Sequence, residues 1–242
     1  MASVPLPPGP LLLHLETSTA VCSVALSAGP VPVSLSETYL PQLHSRVLIA
    51  LVEQQLAHLG LPPAAVAGVV VAAGPGSYTG LRVAASAAKG YCQALGLPLV
   101  AVPTLQALAQ RVQAEAQRRG AHIRPLLDAR RDEVYSARYD SGLSQAAPYA
   151  PHILTPTSFA DELAAGPVLF VGDGAAKTAR LLAPHPNAFY YPEVGASAAG
   201  LVPLGYARFV AGETETLATF EPAYGKGVAV GPHPTPTAPP RG

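Results

Sequence analysis

Short apolar runs alternate along the chain with stretches in which apolar residues recur at helical spacing. The runs at 11–15, 21–27 and 31–37 have the length of β-strands. Between Val47 and Leu59 the apolar residues recur every three or four positions, which predicts a helix that stops at Gly60. The chain therefore begins with three predicted strands and a helix.

The rest of the first half alternates strands with helices. We predict a buried strand at 69–73, a helix at 80–95, a strand at 97–102 and a helix from 104 to about 117. This alternation is typical of an α/β fold with parallel strands.

The second half repeats the order of the first. The segments "LLLHLETSTAVCSVALS" and "IRPLLDARRDEVYSARYD" both indicate strand, acid, tight turn and strand, and "VVVAAGPGS" and "VLFVGDGAA" both indicate strand, Gly-x-Gly and helix. The predicted strands are 123–127, 133–139, 168–171 and 188–191, and the predicted helices are 157–164, one after Gly174, and 197–211. We predict two similar α/β lobes, each with a mixed sheet that is antiparallel at its start and parallel later.

Two acids follow corresponding strands in the two halves. Glu16, with the hydroxyl residues Thr17 and Ser18 after it, ends the first strand of the first half, and Asp128 ends the first strand of the second. Such acids, with the glycine turn at Gly172 and Gly174, suit a cleft that binds nucleotide phosphates and magnesium. The alternative is that both acids only accept backbone N–H groups in their own turns.

The glycine-rich stretch "AAGPGSYTGLRVAASAAKG", residues 72–90, matches neither phosphate motif. A P-loop needs Gly-x4-Gly-Lys-Ser/Thr, whereas Gly74 and Gly80 are too far apart and Leu81 follows Gly80. The dinucleotide fingerprint fails because its last gap is one residue too long. The stretch instead predicts a structural turn whose helix is capped by Ser77 or Thr79.

The helix after this turn has small side chains on nearly every face. A helix so poor in large apolar groups needs neighbours on more than one side. We favour a second protein as one neighbour, and burial within its own lobe is the alternative. The predicted interface residues are His44, Leu48, Leu51, Gly76, Tyr78, Thr79, Gly80, Arg82, Val83, Ala84, Ala87 and Ala88.

The charge composition bears on whether the chain binds nucleic acid. The formal net charge is zero and only 12% of residues are charged, which argues against a nucleic-acid-binding module that acts alone. The basic residues Arg118, Arg119, Arg124, Arg130 and Arg131 either contact RNA phosphates or are simply solvated.

Two cysteines and isolated histidines provide no disulfide scaffold and no metal-ligand spacing. The N-terminal apolar run is too short for a signal peptide, and no stretch has the length of a membrane span, so we expect a cytoplasmic protein. Residues 1–9 are expected to be flexible, and residues 228–242, rich in Pro, Thr and Gly, to be disordered.

Four segments in order resemble the TsaB (also called YeaZ) family: "LETSTAVCSVAL", "AAGPGSYTGLRVAASAAKG", "VPTLQALA" and "LLDARRDEVYSARY". The resemblance spans roughly residues 11–212. It implies a duplicated, two-lobe α/β fold of the actin/Hsp70-like (ASKHA) class, with a first lobe at 10–103 that carries the dimerisation helices and a second at 104–227.

The resemblance also implies a role in synthesis of N6-threonylcarbamoyladenosine at adenosine 37 of tRNAs that read ANN codons. The family member is a non-catalytic subunit that forms a heterodimer with TsaD, the transferase, and works with TsaE. We expect the helices at 42–59 and 80–95 to form the surface that binds TsaD, and to form a weaker homodimer when the chain is alone; tRNA is expected to be met through the complex. No membrane contact is implied.

The transferase paralogue carries a His-x-x-x-His metal pair after the strand that follows its glycine-rich helix. Thr104 and Leu108 stand at those positions here. A hydroxyl and an alkyl group cannot replace two imidazoles. We therefore expect no enzyme activity, no metal and no cofactor, with weak nucleotide binding in the degenerate cleft left open.

Near the C-terminus the sequence differs from the pattern of the family. Many relatives close the fold with Glu-Pro-x-Tyr-Leu-Arg, whereas this chain has Glu221-Pro222-Ala223-Tyr224 and then Gly-Lys-Gly.

The alternative function is a nucleotide-binding hydrolase or kinase of the actin-like superfamily that uses Glu16 and Asp128 around magnesium.

Overall fold

The computed structural model describes residues 5–40 and 42–224. The first half contains β1 (Leu11–Glu16), β2 (Cys22–Ala28), β3 (Val31–Thr38), α1 (His44–His58), β4 (Gly68–Ala72), α2 (Tyr78–Leu95) and β5 (Leu99–Val102). The second contains α3 (Thr104–Gln110), α4 (Gln113–Arg119), β6 (His122–Asp128), β7 (Glu133–Tyr139), β8 (Gln145–Ile153), α5 (Ala160–Ala165), β9 (Val168–Val171), α6 (Ala175–Leu181), β10 (Ala188–Tyr191) and α7 (Ala198–Ala211).

Each half forms one five-stranded sheet, and the two sheets have the same order. The first is β3-β2-β1-β4-β5 and the second, read from its antiparallel edge, is β8-β7-β6-β9-β10. In both, the first three strands are antiparallel and the last two are parallel to the first. The predicted duplication, with mixed sheets that begin antiparallel, is therefore confirmed.

The central strands are apolar because both of their faces are covered. In β1, Leu11, Leu13 and Leu15 pack with α1 and α2, whereas Leu12 packs on the opposite face with α7. The second sheet is covered in the same way, by α3 and α4 on one face and by α5 and α6 on the other.

One strand, β8, was not predicted from the sequence because it lacks an apolar pattern. β8, "QAAPYAPHI", is an exposed edge strand with prolines at 148 and 151, and only its pairing with β7 defines it. Prolines are tolerated at such an edge, where one side of the ladder is open. The helix predicted from 104 to about 117 is divided into α3 and α4, and Thr104 follows its N-cap, Pro103, instead of capping the helix.

The last helix of the second half, α7, returns to the first sheet. α3 packs on β6 and β7 of the second sheet, whereas α7 packs on β1, β2 and β5 of the first. The segment after α7 also stays with the first sheet: Glu215 pairs with Leu99, and Phe220 lies in the first core. The predicted division at 103/104 separates the two sheets, but α7 and residues 213–223, which it assigns to the second lobe, lie on the first.

Within the described ranges, no helix is long and apolar enough to cross a membrane. Residues 1–4 of the predicted flexible N-terminus, and the whole of the predicted 228–242 tail, lie outside the described ranges. So do residues 225–227, where the sequence departs from the family pattern.

The crossing of α3 and α7 generates a stability prediction. A Cβ at Gly200 of α7 would overlap the carbonyl oxygen of Ala107 in α3. We expect Gly200→Ala to lower the free energy of unfolding by about 1–3 kcal/mol, because the backbone contact must open. The control Gly90→Ala, with no atom within 4 Å of the added Cβ, should raise it by about 1 kcal/mol. Urea denaturation measures both, and a stabilised Gly200→Ala would contradict the close crossing.

Candidate functional site

The turn between β1 and β2 is joined to the start of α2. The hydroxyl Oγ1 of Thr17 donates to the carbonyl of Gly80 at 2.7 Å, and the amide of Ser77 donates to the carbonyl of Ser18 at 2.7 Å. A Cβ at Gly80 would overlap the carbonyl oxygen of Thr17, and a Cβ at Gly76 would overlap Ser18. The glycines of the 72–90 stretch therefore allow backbone to meet backbone, as the structural interpretation predicted, and Ser77 caps the helix with its side chain.

His44 supports the same turn from α1. Its Nε2 lies 3.0 Å from the carbonyl oxygen of Thr19 and 3.3 Å from that of Val21. The side chain is half-buried. His44, predicted as an interface residue, therefore has an internal contact that holds the turn against α1.

Glu16 is enclosed beneath this turn. It is 0% exposed, and its Oε1 accepts the amide of Ser18 at 2.6 Å. Within the described ranges, Oε2 of Glu16 and the hydroxyl of Ser18 have no hydrogen-bond partner. Burial raises the pKa of Glu16 to about 7, so the carboxyl is held largely neutral at acidic pH. The carboxyl is enclosed by the turn that it supports, and the amide of Ser18 already occupies one of its two oxygens.

The corresponding turn of the second lobe, between β6 and β7, is occupied by a lysine. Nζ of Lys177 donates to Oδ1 of Asp128 at 2.6 Å, to the carbonyl of Arg131 at 2.8 Å and to the carbonyl of Glu133 at 2.9 Å. Lys177 is only 7% exposed, and an ammonium group has three N–H donors, so these bonds use all of them. The turn therefore holds a cation that belongs to the chain.

Gly172 and Gly174 shape the strand end beside this lysine. A Cβ at Gly172 would overlap the carbonyl oxygen of Leu126, and Gly174 donates its amide to the same oxygen at 3.1 Å. Oδ1 of Asp173 accepts the amide of Asp128 at 2.8 Å. The glycines thus bring the end of β9 against β6, and they place Asp128 beside Lys177.

The structure groups the predicted cleft residues by lobe. Glu16, Thr17 and Ser18 share one turn, and Asp128, Gly172 and Gly174 share another. In the described part of the chain, no hydrogen bond or ion pair links the two turns. A cavity of about 330 Å³ adjoins the second turn, and it is lined by Asp128, Arg131, Asp132, Lys177, Arg180 and Leu181.

The predicted interface residues divide into surface and core. Tyr78, Thr79 and Arg82 are exposed, and Leu51, Gly76, Val83 and Ala87 are half-buried. The structure contradicts the remaining assignments, because four residues are fully enclosed in the first lobe: Leu48, Gly80, Ala84 and Ala88. The small residues of α2 at 84 and 88 let its own sheet and α1 approach, so arginine at either position would disrupt the core.

The exposed face of α1 and α2, here called the α1–α2 face, adds one apolar position that the sequence analysis did not single out, Ile49, to the predicted residues Tyr78, Val83 and Ala87. Ile49 of α1 is 42% exposed and Tyr78 of α2 is 55% exposed. Half-buried Val83 and Ala87 also pack on the first core. Single exposed apolar side chains are common on protein surfaces, so Ile49 and Tyr78 mark a candidate contact and not by themselves an apolar patch.

The basic residues are mostly paired. Arg118 and Arg119 form ion pairs with Glu115, and Arg124 forms a bidentate pair with Glu162. These pairs favour the interpretation of the cluster as a solvated surface.

The two positions that correspond to the metal-binding histidines of the transferase lie in the packed interior of this chain. Thr104 is 0% exposed and its Oγ1 accepts the amide of Gly74 at 3.1 Å. Leu108 is 1% exposed within the second core. No group of three His, Cys, Asp or Glu side chains among residues 5–40 and 42–224 is placed to hold a metal ion.

Two features of the site lay outside the sequence analysis. Lys177 was missed because a single lysine in a predicted helix carries no pattern. Tyr224 was noted only as part of a departure from the family, yet its ring lies 4.6 Å from that of Tyr78, centroid to centroid.

Comparison with known proteins gives a consistent set of relatives. The family model described as TsaD, tRNA N6-adenosine threonylcarbamoyltransferase, matches residues 38–191. The tRNA threonylcarbamoyladenosine biosynthesis protein TsaB of Bacillus subtilis is 34% identical over 128 residues, which are 53% of this chain and 54% of that protein. The chain thus spans about half the length of the curated relatives it matches.

Solved structures extend the similarity to most of the chain. YeaZ from Pseudomonas aeruginosa superposes with a TM-score of 0.75 at 28% identity, covering 89% of this chain and 99% of that one. A structure described as an uncharacterized protein with similarity to peptidase YeaZ from Pseudomonas aeruginosa superposes with a TM-score of 0.77 at 30% identity, over 90% and 100% of the two chains. With the duplicated topology, these matches confirm the predicted actin/Hsp70-like (ASKHA) fold class.

The raised pKa of Glu16 predicts a pH dependence of stability. The carboxyl ionises near pH 4.5 in the unfolded chain but at about 7 in the fold, so the folded state loses stability as the pH rises through this interval. Glu16→Gln keeps the neutral form, and its stability relative to the parent should rise by about 3 kcal/mol between pH 4 and pH 8.

Urea denaturation at both pH values tests this prediction. Burial also lowers the pKa of His14, to about 3, but that contribution is common to both proteins and cancels in the difference. A difference that does not change with pH would show that Glu16 is not held neutral.

Proposed function

Because the chain belongs to the TsaD family of tRNA N6-adenosine threonylcarbamoyltransferases and, within it, to the TsaB (YeaZ) group, we propose that it is a non-catalytic partner of a TsaD-type transferase. In this role it supports the transfer of threonylcarbamoyl to N6 of adenosine 37 in tRNA. The curated relatives named TsaB are biosynthesis proteins for threonylcarbamoyladenosine, which supports the same pathway here.

The observation that carries the proposal is that each strand-end turn is filled by groups of the chain itself. In the first lobe the start of α2 occupies the turn after Glu16. In the second lobe the ammonium of Lys177 occupies the turn after Asp128. The hydroxyl of Ser18 is the buried side-chain donor that these two turns leave without a partner in the described chain, and a single enclosed hydroxyl is not a phosphate cradle, which favours a scaffold over a phosphate-transferring enzyme.

The absence of a His pair supports the non-catalytic role. Thr104 and Leu108 stand where the family pattern of the transferase has two histidines, and both are enclosed in the packing. A hydroxyl already bonded to Gly74 and an alkyl side chain offer no ligand set for a catalytic metal.

The α1–α2 face is the surface that we assign to the partner. It combines exposed Ile49 and Tyr78 with exposed Arg82, and aromatic and arginine side chains are enriched among the residues that dominate binding energy. A stable pair should bury about 1,600 Å² in total. The same face, paired with a second copy, would give the weaker homodimer. TsaE and tRNA join through the complex, in the cytoplasm.

A reconstituted modification assay tests the role and the surface together. Purified TsaD, TsaE and the synthase that makes threonylcarbamoyl-adenylate are incubated with tRNA, with and without this chain, and the modified nucleoside is measured by mass spectrometry. We expect product only when the chain is present. Ile49→Arg should reduce product at least about tenfold, because a charge at the centre of an apolar contact is left without a partner.

The matched control is Ile153→Arg on β8, an isoleucine that is 71% exposed on the second lobe. Full activity of Ile153→Arg with loss in Ile49→Arg supports the α1–α2 face. Equal product with and without the chain would contradict the proposed role.

The alternative function, a nucleotide hydrolase or kinase, makes the opposite prediction about magnesium and ATP. Because the ammonium of Lys177 already pairs with Oδ1 of Asp128 and places a positive charge in the turn, we expect no magnesium-dependent ATP binding by the isolated chain in isothermal titration calorimetry. A magnesium-dependent signal that Asp128→Ala abolishes would favour the hydrolase or kinase instead.

A further inference from the structure

The segment after α7 returns to the first lobe and ends beside the start of α2. Phe220 is buried in the first core, and the amide of Ala223 donates to the carbonyl of Ala73 at 2.7 Å. Gly74 lets the carbonyl of Ala223 approach, since a Cβ there would overlap it. The segment at 220–224 is therefore fixed by backbone contacts and by a buried aromatic ring.

This segment runs along the side of α2. At one end, Nζ of Lys89 lies 5.9 Å from the ring centroid of Phe220. At the other, the rings of Tyr78 and Tyr224 lie 4.6 Å apart and are tilted by 51°. The segment therefore forms a border of α2 and adds its own side chains to the surface beside that helix.

Arg82 completes a small cluster with the two tyrosines. Its Nη1 donates to the phenolic oxygen of Tyr78 at 3.0 Å, and its Cζ lies 5.4 Å from the centroid of that ring. Tyr78 is 55% exposed and Arg82 is exposed, whereas Tyr224 is half-buried. We call these three residues the Tyr–Arg cluster.

The cation of the cluster forms no ion pair within the described chain. Helix α2 contains Arg82 and Lys89 but no Asp or Glu. Among the residues that the structure describes, neither cation has a carboxylate within 4.0 Å, and exposed Glu221 on the neighbouring segment forms no ion pair. An exposed aromatic pair next to a guanidinium fits a surface with an apolar pocket and a carboxylate.

We infer that the Tyr–Arg cluster anchors the transferase partner, with the two rings entering an apolar pocket and Arg82 pairing with a carboxylate at its rim. The inference rests on the proposed function and adds to it a contribution from the C-terminal segment, through Tyr224. Two tyrosine rings held by each other and by Arg82 lose little conformational freedom on binding, which is why such groups supply much of the affinity of an interface.

Binding of purified full-length variants to the purified transferase, measured by isothermal titration calorimetry, tests the inference. Tyr224→Ala and Tyr78→Ala should each weaken the affinity about tenfold or more, as for central interface residues. Tyr224→Phe should stay within about threefold, because it keeps the ring. Tyr149→Ala, a half-buried tyrosine on β8 of the second lobe, is the matched control and should leave affinity unchanged.

Two further measurements separate packing from charge. Because the two rings are in contact, the double variant Tyr78→Ala/Tyr224→Ala should weaken binding by less than the product of the two single effects. Arg82→Gln should reduce the dependence of affinity on salt, since it removes the cation that pairs with the partner carboxylate. Thermal denaturation checks that each variant is folded. If Tyr224→Ala does not fold, the variant of exposed Tyr78 carries the test.

The control Ile49→Arg distinguishes failure of this inference from failure of the proposed surface. If Ile49→Arg weakens binding while the Tyr78 and Tyr224 variants bind like the parent, the α1–α2 face stands and the anchor is wrong. If none of these variants weakens binding, the partner does not use this face, and both assignments are overturned.

Discussion

The close approach of the β1–β2 turn to the first residues of α2 is the constraint on which the first lobe depends. Backbone atoms of the two segments meet without side chains between them, because Gly76 and Gly80 carry none. The hydroxyl of Thr17 and the amide of Ser77 then join the segments by hydrogen bonds. This contact sets the direction of α2, and the direction of α2 decides which residues form the α1–α2 face and which are enclosed.

In the second lobe, a side chain holds the corresponding strand-end turn. Its turn after β6 is held by the ammonium of Lys177, which replaces the helix start that fills the first turn. The two halves therefore share a topology but close their strand ends by different chemistry. Because groups of the chain itself occupy most of both strand-end turns, the exposed helical surface is the feature best suited to contact another protein, which agrees with a role in supporting one.

Most of the fold could be predicted from the sequence because the buried strands are continuous apolar runs that end in acids or glycines. β8 could not, since an exposed edge strand with two prolines has no apolar pattern. The site was less predictable. Small residues such as Ala84 and Ala88 indicate that something approaches α2 closely, but composition cannot say whether the neighbour is its own sheet or another protein. Lys177 and Tyr224 act through contacts with residues 49 and 146 positions away along the chain, measured to Asp128 and Tyr78.

The return of α7 to the first sheet has a consequence for synthesis of the protein. The hydroxyl of Ser23 in β2 accepts the amide of Ala198 at the start of α7, across a separation of 175 residues. One face of the first sheet is covered only when α7 arrives, and its edge and core are completed by Glu215 and Phe220. The first lobe therefore cannot finish folding on the ribosome before nearly all of the described chain has emerged, so the usual N-terminal-first order of domain folding does not apply. Until then the apolar face around Leu12 and Val70 is exposed, so it is open to chaperones for most of the synthesis of the chain.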